Sequence, residues 1–412
     1  MKEGVNPKNP EDNFLVPLYQ KFPIKIVKGA GALIYDDIGR EYIDLSGGYG
    51  VAIVGHANKS VADAVSDQAH KLITCHGSLY NDARESYLEL LSRHLTGDLS
   101  RVYFSNSGAE ANEAAIKFAR KASGRKKLVA FSGSYHGKTL GALSTTWNQK
   151  YRKPFEPLIE GVQFVPFGNS EKAIEAIDAE TAAVIVEPIQ GESGIHISPP
   201  GFLQSLREAT SKHNALLIFD EVQSGFGRTG KLWACQNWDV SPDIMTASKG
   251  IAGGIPFAFT AVTESISDVM KAGEHTSTFG GNPVACAAAK AALEFILSGG
   301  LLNNARERGE YFMRRLNQLK TDHPRTVREV RGLGLMLAAE LKIPVKDIII
   351  KGFDHNLVLL YAGLNVLRFL PPLVITREQI DLVVDRLGAI IGQVESAAPQ
   401  AASSTPGLTG GG

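Results

Sequence analysis

Four short apolar runs dominate the first two-thirds of the chain: KKLVAF (126–131), AAVIVEP (182–188), ALLIFDEV (215–222) and DIMTAS (243–248). In each, apolar residues follow one another without alternation, so neither side of the run is suited to water. Runs of this kind are strands buried on both faces of a sheet. Covering both faces takes helices, and parallel strands joined by right-handed crossovers supply them. Helical periodicity precedes the first run, over 61–72, 86–95 and 109–122. The pattern predicts a large, mostly parallel, doubly wound α/β sheet. Ligands of open sheets sit beyond the carboxyl ends of the strands, so reactive residues are sought just after the runs.

The rest of the chain divides around this block. Residues 1–45 read as an irregular arm leading into a hairpin, ALIYDDIGREYIDL (32–45), and 46–296 as the large domain. Residues 297–395 carry a long amphipathic helix (302–320) and strand-like stretches at 327–341 and 358–370, which predicts a small α+β domain. The segment 396–412 is small, polar and Gly-rich, the composition of a disordered tail. Lys+Arg and Asp+Glu balance at 43 each, which gives no electrostatic reason for nucleic acid or a membrane surface as partner. No signal-like start and no stretch of about 20 uncharged apolar residues is present. Cys75, Cys235 and Cys286 stand far apart without metal-ligand spacing, so a reduced, cytoplasmic setting without a metal is expected.

Asp220 closes one apolar run, and Lys249 follows the next, 29 positions later. In parallel strands both side chains project into one cleft. A lysine there can form an imine with an aldehyde cofactor, and a carboxylate there can hold a pyridine nitrogen protonated. Taken alone, the two also read as a strand-end salt bridge. Ser107 and Glu110 in NSGAEANEAAIKFARKA (106–122) fit a helix capping box, and Gly108 lets an anion approach the helix start. An ordinary capped helix has the same signature. GSYHGKT (133–139) follows another run and offers Tyr135 and His136, as a stacking aromatic or a plain surface turn.

The ordered set NSGAEANEAA, SYHGKT, VEPIQGE, IFDEVQSGFGRTG, SKG, TSTFGGNP and RFLPPL resembles the class III (ornithine/acetylornithine-type) aminotransferases, fold-type I enzymes that use pyridoxal phosphate. The resemblance runs from about residue 17 to about 390. It implies that Lys249 carries the cofactor aldehyde and that Asp220 faces the pyridine nitrogen. It implies that Ser107, Gly108 and Ala109 hold the phosphate, with Tyr135 stacked on the ring and His136 in the same turn. Gln223 would lie near the ring hydroxyl and Glu187 beside the ring. Thr278 would reach the phosphate of a neighbouring subunit, making a homodimer with shared sites. Arg368 would bind the α-carboxylate of glutamate or 2-oxoglutarate, with Glu192 as its movable ion-pair partner.

Within the class, stretches such as GGYGVAIVGH (47–56) and VLRFLPPLVIT (366–376) resemble the aminotransferase of carrier-linked lysine and arginine biosynthesis. That resemblance implies an aminoadipate semialdehyde held on the small acidic carrier protein LysW, aminated by glutamate to carrier-bound lysine, or the shorter homologue to ornithine. Arg84, Lys150, Arg152 and Lys153 are candidates for a basic patch facing that carrier, and the last three also read as a plain solvated turn. Lys138 stands where the family usually has Arg after His-Gly, and it is a point charge that cannot pair bidentately with a substrate carboxylate. Acetylornithine, ornithine, 4-aminobutyrate and putrescine are the alternative free substrates. A racemase or aminomutase of the same fold, and a cofactor-free binding protein, are the readings further off.

Overall fold

The computed structural model describes residues 9–397. Its centre is a seven-stranded sheet in the order Leu99–Ser105, Ala258–Thr263, Ile244–Ala247, Leu216–Asp220, Thr181–Val186, Lys127–Phe131, Val162–Val165. All four predicted runs are in it, and neighbouring members of the set pair in parallel. Ala258–Thr263 alone runs against both of its neighbours.

The two faces explain why the runs are continuously apolar. Val129, Phe131, Val184, Leu217, Phe219 and Met245 point to one side, where Phe202, Leu203 and Leu206 of the helix Phe202–His213 cover them. Leu128, Ala130, Ile185, Ile218 and Ile244 point to the other, against Ala114, Ala115 and Phe118 of the helix Gly108–Ser123. Every second residue serves the opposite layer, so none can be polar without a partner.

Three strands of this sheet lie outside the predicted runs. Leu99–Ser105 is an edge strand with Ser100 and Arg101 exposed, so its sequence lacks a buried signature. Ala258–Thr263 carries a buried polar residue, Thr260, whose hydroxyl donates to the Ala111 carbonyl at 2.8 Å. Val162–Val165, the opposite edge, is only four residues long.

The predicted hairpin is present as Leu33–Asp36 and Glu41–Asp44, and Leu357–Val358 from the far end of the chain pairs with it in parallel. The stretch 327–341, read as one strand, is two: Val327–Leu333 and Met336–Leu341, reversed at Gly334. Gly334 sits at φ +58, and a Cβ there would meet the Thr229 carbonyl carbon at 2.6 Å, so the turn demands glycine. The stretch 358–370 likewise breaks, into Leu360–Ala362 and Val366–Phe369 around Gly363. These four strands form one antiparallel sheet backed by the helix Leu301–Asp322. The expected tail, 396–412, lies outside the described residues except for Ser396 and Ala397, which close the helix Arg377–Ala397. Among the described residues no single helix is long and apolar enough to cross a membrane, and no group of three metal-binding side chains occurs.

Gly309 of the long helix rests directly on the Gly334 turn, where a Cβ would overlap the Gly334 carbonyl. Gly309→Ala should therefore lower stability by about 1–3 kcal/mol, the usual cost of overpacking. Gly392→Ala, on a helix position with open space around it, should be neutral or stabilising by up to about 1 kcal/mol. Thermal melts of the two variants beside the parent check this; equal midpoints for Gly309→Ala and the parent would refute the contact.

Candidate active site

Asp220 and Thr246 are register partners at the carboxyl ends of two central parallel strands. The chain leaves the second strand and turns at once into the short 3-10 helix Lys249–Ala252. Gly250 permits that turn, since a Cβ there would meet Ile53 at 2.7 Å. Lys249 itself adopts φ +53, a left-handed conformation that costs a non-glycine residue roughly 1–2 kcal/mol. Its side chain opens onto a cleft of about 490 Å³. Burial pulls the Lys249 ammonium below the ordinary lysine range, partly offset by Glu192.

The helix Gly108–Ser123 begins at the same cleft. Ser107 Oγ accepts the Glu110 N–H at 3.3 Å, and the Glu110 carboxylate reaches back to the Asn106 N–H at 3.0 Å, one residue earlier than a standard capping box. Gly108 lies against Val222, where a Cβ would come within 2.7 Å of Cγ1. The first-turn N–H groups, Gly108 and Ala109 among them, have no partner inside the helix. The Tyr135–Lys138 turn lies across this helix start. Gly137, at φ +132, makes that approach possible, because a Cβ would meet the Ala109 Cβ at 2.6 Å.

Asp220, 4% exposed, is held from three sides. Its Oδ2 accepts from His136 Nδ1 at 2.7 Å and from Asn112 Nδ2 at 2.8 Å, and its Oδ1 accepts the Val222 N–H at 3.0 Å. Glu187 follows the strand Thr181–Val186 and is buried. Its two oxygens accept the Tyr135 N–H at 3.0 Å and the Gly191 N–H at 3.1 Å. Burial, with the charge of Asp220 adding to it, pushes Glu187 up to about 7.

Arg368, 1% exposed on the strand Val366–Phe369, pairs with both oxygens of Glu192 at 2.8 and 3.2 Å. The Gly191 and Tyr361 carbonyls take further donors from the same guanidinium. Burial alone would raise Glu192, but Arg368 and Lys249 hold it down at about 2. Gln223 donates to Glu192 at 3.3 Å, and its Oε1 is buried without a partner among the described residues.

All the predicted site residues line this one cleft except Arg368 and Thr278. Arg368 touches it through Glu192, whereas Thr278 is exposed and does not line the cleft, although its neighbour Ser277 accepts from the lining residue Asn106 at 3.3 Å. Lys138 stands exposed at the mouth with its ammonium 4.6 Å from the Tyr151 ring centre. Arg84 does not belong to a basic patch. Its guanidinium is committed to the carbonyls of Gly281, Leu79 and Cys75 at 2.9–3.0 Å. Arg152 stacks 4.8 Å from the Phe164 ring centre, which leaves Lys150 and Lys153 exposed.

Residues 16–391 match the family model described as Aminotransferase class-III. The chain belongs to the class-III aminotransferases. It is 43% identical to an acetylornithine aminotransferase of Methanopyrus kandleri, over 91% of this chain and 96% of that protein. It is 44% identical to a LysW-aminoadipate semialdehyde transaminase of Deinococcus radiodurans, over 92% of this chain and 88% of that protein. The crystal structure of ornithine aminotransferase from Toxoplasma gondii superposes with a TM-score of 0.90 at 32% identity, covering 94% of each chain. The family is pyridoxal-phosphate-dependent, so this aminotransferase is too.

Two members of the site are absent from the sequence reading. Asn112 is buried on the apolar face of its helix, and its Oδ1 accepts the Thr246 hydroxyl at 2.8 Å. The available signal was a polar residue among Ala111, Ala114 and Ala115 where an alanine would pack.

The raised Glu187 gives a pH test. A carboxyl whose folded pKa lies above its unfolded value stabilises most below the unfolded pKa, and that advantage is lost as pH rises through the folded one. The window here runs from 4.5 to about 7. Relative to Glu187→Gln, the parent aminotransferase should lose up to about 3 kcal/mol across it. Denaturant unfolding at a series of pH values measures the difference; parallel curves would remove Glu187 as the group responsible.

Proposed function

We propose that this aminotransferase moves the amino group of glutamate onto a terminal semialdehyde carried by a small acidic amino-group carrier protein. Aminoadipate semialdehyde on the carrier would become carrier-bound lysine, and glutamate semialdehyde would become ornithine. The observation that carries the reading is the bidentate Glu192–Arg368 pair at the Lys249 cleft. A semialdehyde presents no carboxylate at its reacting end, so Glu192 covers Arg368. Glutamate brings an α-carboxylate that takes Glu192's place on the guanidinium fork.

The residues present fit pyridoxal phosphate. Free first-turn N–H groups at Gly108 and Ala109 suit its phosphate, and the close fit of Gly108 on Val222 leaves that approach open. Asp220 suits the pyridine nitrogen, Tyr135 one ring face, and the unpartnered Gln223 Oε1 the ring hydroxyl. When bound, the cofactor supplies an aldehyde for imine exchange and an electron sink. Lys249, its proton affinity lowered by burial, serves as the amine that takes and returns a proton at Nζ. Glu187 keeps the Tyr135 turn and the Gly191–Glu192 turn at a fixed separation.

Lys138 offers a point charge at the mouth to the carboxylate at the far end of the semialdehyde. Lys150 and Lys153 remain as the exposed charges for an acidic carrier. Thr278 and the exposed Phe279, with Phe14, Val16, Leu18 and Tyr80, support a homodimer in which a second copy covers them and Thr278 completes its site. The free thiols of Cys75, Cys235 and Cys286 suit the cytoplasm. The Methanopyrus relative supports a second reading, with free acetylornithine as substrate.

The purified protein should be yellow and bleach with glutamate. Lys249→Ala should lower turnover by at least about a thousandfold. Competition between carrier-bound lysine and free acetylornithine decides the substrate. A higher kcat/KM for the carrier-bound form is expected, and a higher value for acetylornithine moves the assignment to the free amino acid.

A further inference from the structure

We infer that Asn112 is a positioning residue that acts on the cofactor's ring nitrogen through Asp220. The inference rests on the assignment of Asp220 to that nitrogen.

Asn112 lies one turn into the helix Gly108–Ser123 and is 1% exposed. Ala111, Ala114, Ala115 and Ala119 around it are fully buried, so alanine would be the inexpensive choice for packing. A buried amide is costly unless its donors and acceptor are used. Here all are used. Nδ2 donates to Asp220 Oδ2 at 2.8 Å and to the His136 carbonyl at 2.7 Å, while Oδ1 accepts from Thr246 Oγ1 at 2.8 Å. With a carboxylate and a carbonyl on one side, only the amide's NH₂ end can face them, so its orientation is settled by chemistry.

The same logic apportions the Asp220 oxygens. Oδ2 has two donors, His136 Nδ1 and Asn112 Nδ2, and its lone pairs are occupied. Oδ1 has one, the Val222 N–H at 3.0 Å, and keeps a lone pair for an N–H on the cofactor ring. Asn112 thus decides which oxygen is offered. It also ties three elements to one point: its own helix, the Tyr135–Lys138 turn through the His136 carbonyl, and the central strand through Thr246. The phosphate-binding helix start and the nitrogen-binding carboxylate are held in one register by a single side chain. The titratable groups around this cluster are His136, Glu187 and Lys249, with Glu192 and Arg368 beyond them.

The test titrates the full-length chain with pyridoxal phosphate and follows the pH dependence of the bound cofactor's visible absorbance. Asn112→Ala should bind the cofactor about tenfold more weakly, the effect of losing one charge-assisted hydrogen bond. Asn112→Asp should add a pH-dependent step in the absorbance that the parent lacks, because two carboxylates at hydrogen-bond distance share a proton. Thr246→Val keeps the side chain's shape, removes only the hydroxyl that orients the amide, and should weaken binding in the same direction by less. Thr246→Ser should restore it. Parent-like affinity and pH dependence in Asn112→Ala overturn the inference; where that variant does not fold, parent-like behaviour of Thr246→Val does so. Asp220→Asn separates the premise. If it leaves affinity and absorbance unchanged, the assignment of Asp220 fails. If it changes them while Asn112 and Thr246 variants do not, the role of Asn112 fails alone.

Discussion

A carboxylate that ends a fully buried strand has to be surrounded by donors, and most of this active site follows from supplying them to Asp220. Its three partners come from a helix, a turn and the residue two positions on. The helix that sends Asn112 is the one whose first turn opens on the cleft. The turn that sends His136 also carries Tyr135 and Lys138. Satisfying one buried charge therefore fixes the relative places of the helix start, the Tyr135 ring and the mouth of the cleft. The sheet contributes the rigid base: Lys249 comes off the neighbouring strand, whose register with Asp220 is fixed by main-chain bonds.

The parts of this fold readable from sequence are those where burial is continuous. A central strand covered on both faces leaves an unbroken apolar run, as Thr181–Val186 does. Edge strands leave half a pattern, and Leu99–Ser105 is not legible for that reason. Ala258–Thr263 is illegible for a different one, since its buried threonine is satisfied by a helix carbonyl that no local pattern reveals. A glycine inside an apolar stretch marks a reversal that periodicity does not show, as at Gly334 and Gly363.

The site shows the same division. Asp220, Lys249 and the Ser107–Glu110 cap are local signals, each readable from a few residues. Arg84 looked like a surface charge because two of its carbonyl partners lie within nine residues but in an irregular loop, and the third, Gly281, is 197 positions away. Asn112 gives no local signal because its partners are 24, 108 and 134 positions distant. Polar residues whose use is non-local carry no periodicity, so sequence reveals them only as an exception within an apolar face.

Gly191 has no slack. Its N–H is held by Glu187 and its carbonyl by Arg368, and a Cβ at this position would overlap the Gln223 amide. The backbone that bears Glu192 is thus clamped from both sides. The freedom left between Glu192 and Arg368 is rotation about the side-chain bonds of one glutamate. Movements of that kind are orders of magnitude faster than the opening of a loop or a domain.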